Sequence, residues 1–221
     1  MLIVYIIYII SLLYLLYLSI KKNNSLQRFV VKLFNCSLFI VIFIVNYYSN
    51  KISYSLFIPM LIAFILSFLG DIALGFVHVK KNIVAQGIGF LLFSIAQIVF
   101  IYSFISNFGF NLYLLFIPVI GVMLGLFFIY HLKVKHIIVY PMTFIYLTLV
   151  TMMLASTLSI CINSFNLFSI ILLLGGVLFA ISDYTLMFKY FDKKHKQQFT
   201  FISVLTYGLA QLLLATSILF L

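Results

Sequence analysis

Three acids stand in this chain of 221 residues, Asp71, Asp183 and Asp192, and two of them fall inside long apolar runs. Asp71 sits in Leu69-Gly70-Asp71-Ile72-Ala73-Leu74 and Asp183 in Ala180-Ile181-Ser182-Asp183-Tyr184. A carboxylate within a membrane-spanning run costs about 2.5–3.5 kcal/mol on insertion scales, so such groups face a bundle interior and serve function. Two carboxyls in one partly dry pocket suit acid–base work, one donating a proton while the other steadies a cation or activates water. That pairing fits acid-catalysed opening of an acetal-like or enol-ether bond, by the logic of glycosidases. It fits ester hydrolysis through a serine less well, because Ser94 and Ser182 have neither a His-plus-acid pattern nor a Gly-x-Ser-x-Gly elbow nearby. The plainer alternative is structural: each Asp accepts a hydrogen bond between helices, or pairs with Lys32 across them.

Other polar side chains in apolar surroundings are candidates for binding. Gln97 and Gln211 lie about fourteen residues into their helices, deeper than the two Asp, and either bond neighbouring helices together or orient water and substrate at a pocket floor. Lys32 and Tyr140 belong near the pocket mouth, where an ammonium and a phenol could meet a phosphate. Lys32 could equally snorkel to the interface. Ser182, beside Asp183, completes the candidate binding residues. His131 and His136 do not share a helical face, His78 and His195 flank basic loops, and nothing approaches a metal-ligand spacing, so neither metal nor other cofactor is expected. Cys36 and Cys161 fall toward opposite membrane faces, which argues against a disulfide. Gly121-x-x-x-Gly125 is a helix-packing signal of low specificity.

The elements that must position these residues are helices. Apolar residues make up 66% of the chain and charged residues 7%, against roughly 45–50% and about 25% in soluble domains, which excludes a soluble fold. A membrane helix needs roughly 20 mainly apolar residues. The polar breaks leave eight such spans, at about 2–20, 29–48, 52–77, 83–105, 111–130, 136–160, 165–188 and 197–220. The first has no basic residues before it and Lys21 and Lys22 after it, so it reads as a span and not a cleaved signal. Of the 13 basic residues all but Lys51 fall in or beside the odd-numbered loops. By the positive-inside rule those loops are cytoplasmic and both termini extracytoplasmic, in a plasma or inner membrane. The net charge of +10 therefore reads as topology and attraction to anionic lipid, not as nucleic-acid binding.

An internal repeat ties the two Asp together. Gly70-Asp71-Ile72-Ala73-Leu74-Gly75-Phe76 aligns with Ser182-Asp183-Tyr184-Thr185-Leu186-Met187-Phe188, both reading small-Asp-x-x-Leu-x-Phe. Each is followed by a basic loop and then by a matching segment, Phe93-Ser94-Ile95-Ala96-Gln97 or Tyr207-Gly208-Leu209-Ala210-Gln211. A weaker match pairs Lys32 with Tyr140. The expected fold is thus an all-α integral membrane bundle of eight transmembrane helices, a single domain over 1–221. Two parallel four-helix repeats build it, approximately 1–108 and 109–221, with both Asp at one depth in the cytoplasmic half.

These residues resemble the YhhN family of multi-pass membrane proteins, the lysoplasmalogenases. The resemblance covers roughly residues 65–215 and rests on Leu69-Gly70-Asp71, on Leu174-Gly175-Gly176 through Ser182-Asp183, and on Tyr207-Gly208-Leu209-Ala210-Gln211. It implies hydrolysis of the vinyl-ether bond of a lysoplasmalogen, a lysophospholipid substrate, to a fatty aldehyde and glycerophosphoethanolamine or glycerophosphocholine, with no metal. One departure is that the family's fourth helix often carries Ala-His where this chain has Ala96-Gln97. The rivals from other classes are a small-molecule or lipid transporter and a non-catalytic membrane scaffold.

Overall fold

A computed structural model of the chain describes residues 1–21, 25–50, 52–80, 83–131, 139–191 and 195–221. They form helices α1 (Leu2–Ile20), α2 (Ser25–Asn50), α3 (Tyr54–Lys80), α4 (Ile83–Phe108), α5 (Phe116–His131), α6 (Val139–Asn163), α7 (Leu167–Phe191) and α8 (Lys196–Ser217). Helix satisfies every backbone N–H and C=O within one segment, which is what an apolar run needs in a bilayer. Seven of them, all but α5, are long and apolar enough to cross a membrane. The protein is a multi-pass membrane protein.

The fifth expected span, 111–130, is helical but is divided into two parts. Leu112–Leu115 form a 3₁₀ turn and α5 itself has 16 residues, about 24 Å at 1.5 Å per residue against a hydrocarbon core of about 30 Å. Two residues cause this. Gly109, at φ 75°, turns the chain out of α4. Pro118 has no N–H to give the Leu114 carbonyl, so one α-helical hydrogen bond is missing where the 3₁₀ turn passes into α5. Helices α2, α3, α4, α6 and α7 run past the expected C-terminal ends of their spans, whereas α1 ends where expected.

Along the chain each helix packs on the next within α1–α4 and again within α5–α8, with α3 against α4 and α7 against α8 making the most extensive pairs. Across these sets α1 and α2 meet α8, α4 meets α6, and the 3₁₀ turn Ile218–Phe220 closes on α2. Small residues allow the close approaches. On α5, Gly121 and Gly125 lie against Thr151 and Leu147 of α6, so the Gly-x-x-x-Gly signal marks a real helix contact. Phe64 packs tilted against Phe43 and edge-on against Phe100 in the core, at 4.8 and 5.4 Å between ring centroids. Large apolar side chains such as Ile3, Leu13, Tyr102 and Val119 cover the outside, as expected where lipid replaces water.

The two ends of the bundle differ. One is tied by uncharged groups: Ser55 Oγ donates to Asn107 at 2.7 Å, Asn111 Nδ2 to Asn163 at 2.8 Å, and Asn50 Nδ2 to the Ile218 carbonyl at 2.8 Å. Pro59 inside α3 leaves the Ser55 carbonyl without its helical donor, and Asn107 Nδ2 supplies one at 3.2 Å. The other end carries Lys21, Arg28, Lys32, Lys189 and Lys196.

Candidate active site

Packing explains why each Asp follows a small residue. On α3, Gly70 faces α4, and a Cβ there would lie 2.8 Å from the Phe93 ring. On α7, Ser182 faces α8 and donates its hydroxyl to the Ser203 carbonyl at 3.1 Å. The next residue is turned about 100° round the helix, and in both helices it is the Asp that reaches the interior. Asp71 is 1% exposed and Asp183 2%. Both line a single cavity of about 40 Å³ enclosed by α1, α2, α3, α4, α7 and α8. That space admits water but not a lipid.

The two carboxyls have unlike surroundings. Asp71 Oδ1 lies 2.6 Å from the Lys32 ammonium. Its Oδ2 accepts the Tyr207 hydroxyl at 2.6 Å and the Cys36 thiol at 3.1 Å. Lys32 and Cys36 are four apart on α2 and therefore share a face, and the Lys32 ammonium also lies 5.7 Å from the Tyr207 ring centre. A cation and two donors on two oxygens is the coordination of a carboxylate anion. Asp183 receives a long hydrogen bond from Gln97 Nε2, at 3.4 Å, and has the buried Tyr146 hydroxyl beside it. Among the described residues no basic side chain lies within ion-pair distance of it. Gln97 Oε1, buried next to this carboxyl, has no hydrogen-bond partner among the described residues.

Of the other residues singled out in the sequence, Lys32 pairs with Asp71, the structural alternative named for it, and also borders the cavity. Gln97 is level with Asp183 and touches it, where a position deeper than the Asp was expected. Ser182 lines the cavity but spends its proton on α8. Gln211 is buried one turn beyond Tyr207 and is not among the cavity-lining residues. The Tyr140 side chain lies outside the described residues, as do Asp192 and the centres of the basic loops. Cys36 and Cys161 are both free and buried.

Sequence reasoning missed Tyr207, Cys36 and Tyr146. A signal existed for two of them: Tyr207 aligns with Phe93 in the repeat and differs by the hydroxyl that bonds Asp71, and Cys36 follows Lys32 by one helical turn. Tyr146, one of 15 tyrosines, carried none. A second cavity, also about 40 Å³, adjoins the first on the basic side and is bordered by Arg28, Lys32 and Lys189. The two share Leu15, Lys32, Leu74, Leu186 and Val204 in their walls.

The model of the YhhN family matches residues 27–218, a stretch that includes both Asp and each of their partners named above. No curated protein and no solved structure matches the chain.

Proposed function

Since the chain belongs to the YhhN family, we propose that it is a membrane ether hydrolase cleaving the vinyl-ether bond of lysoplasmalogens, with Asp71 and Asp183 as its acid–base pair. The observation that carries this reading is the one cavity that both buried carboxyls line while differing in their partners. Asp183, without a cation beside it, is the proton donor; Asp71, held by Lys32, Tyr207 and Cys36, is the standing anion. Turning the Gln97 amide over would offer its unpartnered Oε1 to a protonated Asp183.

In the reaction Asp183 protonates the β-carbon of the vinyl ether, and the electron pair of the C=C bond forms the new C–H bond. The positive charge spreads over the α-carbon and ether oxygen, an oxocarbenium that the Asp71 carboxylate stabilises. Water adds to the α-carbon, and the proton it loses restores the acid. The hemiacetal then collapses to fatty aldehyde and the freed glycerol hydroxyl. Because the cavity now holds only water-sized guests, the helices around it part to admit the alkenyl chain.

Two further parts of this reading concern architecture. The parallel repeat is supported by the recurrence of α1–α4 packing in α5–α8 and by the matched contacts of α2 with α8 and α6 with α4. The basic end is assigned to the cytoplasm by the positive-inside rule, which places the cavity on that side.

The test is purified protein incubated with a lysoplasmalogen and, in parallel, with its saturated alkyl-ether analogue, with aldehyde measured. Release from the vinyl ether alone supports hydrolysis. No release from either sinks the reading and leaves transport or a scaffold role.

A further inference from the structure

Beside the acid pair and behind it, on the side away from the basic residues, the centre of the bundle holds polar atoms that the helices leave unsatisfied. Gln97 Oε1, both amide atoms of Gln211 and Ser67 Oγ have no hydrogen-bond partner among the described residues. All three side chains are 0% exposed. In either orientation of the Gln97 amide, one of its two polar atoms is turned away from Asp183. Gln211 lies beside the Tyr207 hydroxyl that bonds Asp71. Ser67 precedes Asp71 by one turn on α3 and so shares its face. Phe64 and Phe100, each one turn farther out on α3 and α4, meet edge-on at 5.4 Å, which puts Ser67 and Gln97 at one level. An amide left unpaired in a dry interior forfeits its hydration. Water both donates and accepts, as this set of atoms requires, and it is small enough to stand among them. It is also at hand: Asp183 and Tyr207 each line the inner cavity, which admits water, and each adjoins one of the glutamines.

We propose that Ser67, Gln97 and Gln211 hold resident water behind the acid pair, and that this is the water consumed in hydrolysis. The proposal rests on the hydrolase reading above and names the source of its second substrate. Lipid and water then reach the carboxyls from opposite sides, so an alkenyl chain that empties the inner cavity of solvent leaves the held water in place. Its oxygen forms the bond to the α-carbon of the oxocarbenium. One of its protons passes to the Asp183 carboxylate, which has just given one up, and the neutral hemiacetal remains. Ser67, Gln97 and Gln211 are positioning residues, acting through the water and not on the lipid.

The test begins with the full chain in detergent and needs no substrate. X-ray hydroxyl-radical footprinting read by mass spectrometry marks buried side chains that adjoin bound water. Phe100 and Phe104 are both fully buried, but only Phe100 is one turn from Gln97, so Phe100 is expected to be labelled and Phe104 is not. Gln97→Leu and Gln211→Leu should each bring Phe100 down toward the level of Phe104. Equal labelling of the two rings in the parent overturns the water site. The unfolding midpoint gives a second reading: removing a dry, unpaired amide raises it, whereas removing one that water satisfies lowers it, by about 2–4 °C for Gln211→Leu. A rise overturns the proposal. Vinyl-ether substrate is then supplied in a water–methanol mixture. The parent is expected to release aldehyde without forming the mixed methyl acetal, because held water meets the oxocarbenium before solvent alcohol does. Methyl acetal in proportion to the methanol present overturns the assignment of this water to hydrolysis. No aldehyde at all fails the hydrolase reading, while the labelling of Phe100 still upholds or overturns the site.

Discussion

The Lys32 ammonium on α2 lies 2.6 Å from the Asp71 carboxylate on α3, with Lys32 26% exposed and Asp71 1% exposed. A cation that still touches the surface is thus paired with an acid that does not. Asp183, the matching residue on α7, has its neighbours on α4 and α6 and no such cation among the described residues. The pairing makes two acids of one sequence motif chemically distinct.

Lys32→Met leaves the Asp71 charge buried without its cation. Breaking a buried pair by removing one partner costs about 3–5 kcal/mol, and the partial exposure of Lys32 puts the expected loss near the lower end. Adding Asp71→Asn to Lys32→Met should recover part of that loss. Thermal unfolding of the two single variants and the double variant in detergent measures the coupling. A double variant no more stable than Lys32→Met would show that the pair is not coupled.

Asp71→Asn and Asp183→Asn should each reduce aldehyde release from a vinyl-ether substrate to background while the protein elutes from a sizing column as the parent does. Asn has nearly the shape of Asp but can neither give the proton nor hold the negative charge. Full activity in either variant would sink the two-carboxyl mechanism.

Tyr207→Phe removes one donor from Asp71 and keeps the ring in place. The ring stays edge-on to Phe93 at 6.0 Å and to Phe179 at 5.8 Å, and the repeat already carries Phe at the corresponding position, 93. A hydrogen bond to a charged group contributes about 1.5–3 kcal/mol. The expected outcome is a fall of about 10- to 100-fold in kcat with little change in KM, since the bond orients the anion that meets the transition state. A variant altered only in KM would place Tyr207 in binding.

Gln97→Leu should lower kcat by losing the contact to Asp183 Oδ2, whereas Gln97→His, which keeps a hydrogen-bonding side chain at that position, should keep activity within a few-fold of the parent. Hydrogen bonding is the property common to Gln and His here. If His raises activity many-fold, that position does more than orient Asp183, and steady-state aldehyde kinetics would reveal it.

Asn107→Ala should destabilise the bundle by about 1 kcal/mol without touching hydrolysis. It removes the donor to the Ser55 carbonyl that Pro59 leaves open, at the end of the molecule away from the basic residues. Equilibrium unfolding in detergent and the aldehyde assay together decide this. A loss of activity with unchanged stability would contradict it.

Much of this was legible in one dimension. Span length is a count of apolar residues, so eight helices could be read off the chain, and composition did not register that the fifth, between Gly109 and His131, divides into a 3₁₀ turn and a 16-residue α-helix. The scarcity of acids singled out Asp71 and Asp183, and the small residue before each, Gly70 or Ser182, now has its reason in the tight contacts of α3 with α4 and α7 with α8.

What the sequence by itself determined was the class of protein, its family and the two acids, because each follows from local composition or from motifs in chain order. Tertiary structure alone decided that the acids are not equivalent. Tyr207 reaches Asp71 across 136 positions and Gln97 reaches Asp183 across 86. A side chain's partner is set by which helix faces lie together, and no spacing along a single helix encodes that. The small-Asp-x-x-Leu-x-Phe match aligns the Asp residues, but Lys32, Cys36, Tyr146 and Tyr207 all lie outside that segment. Those few partners give the two carboxyls their unlike surroundings.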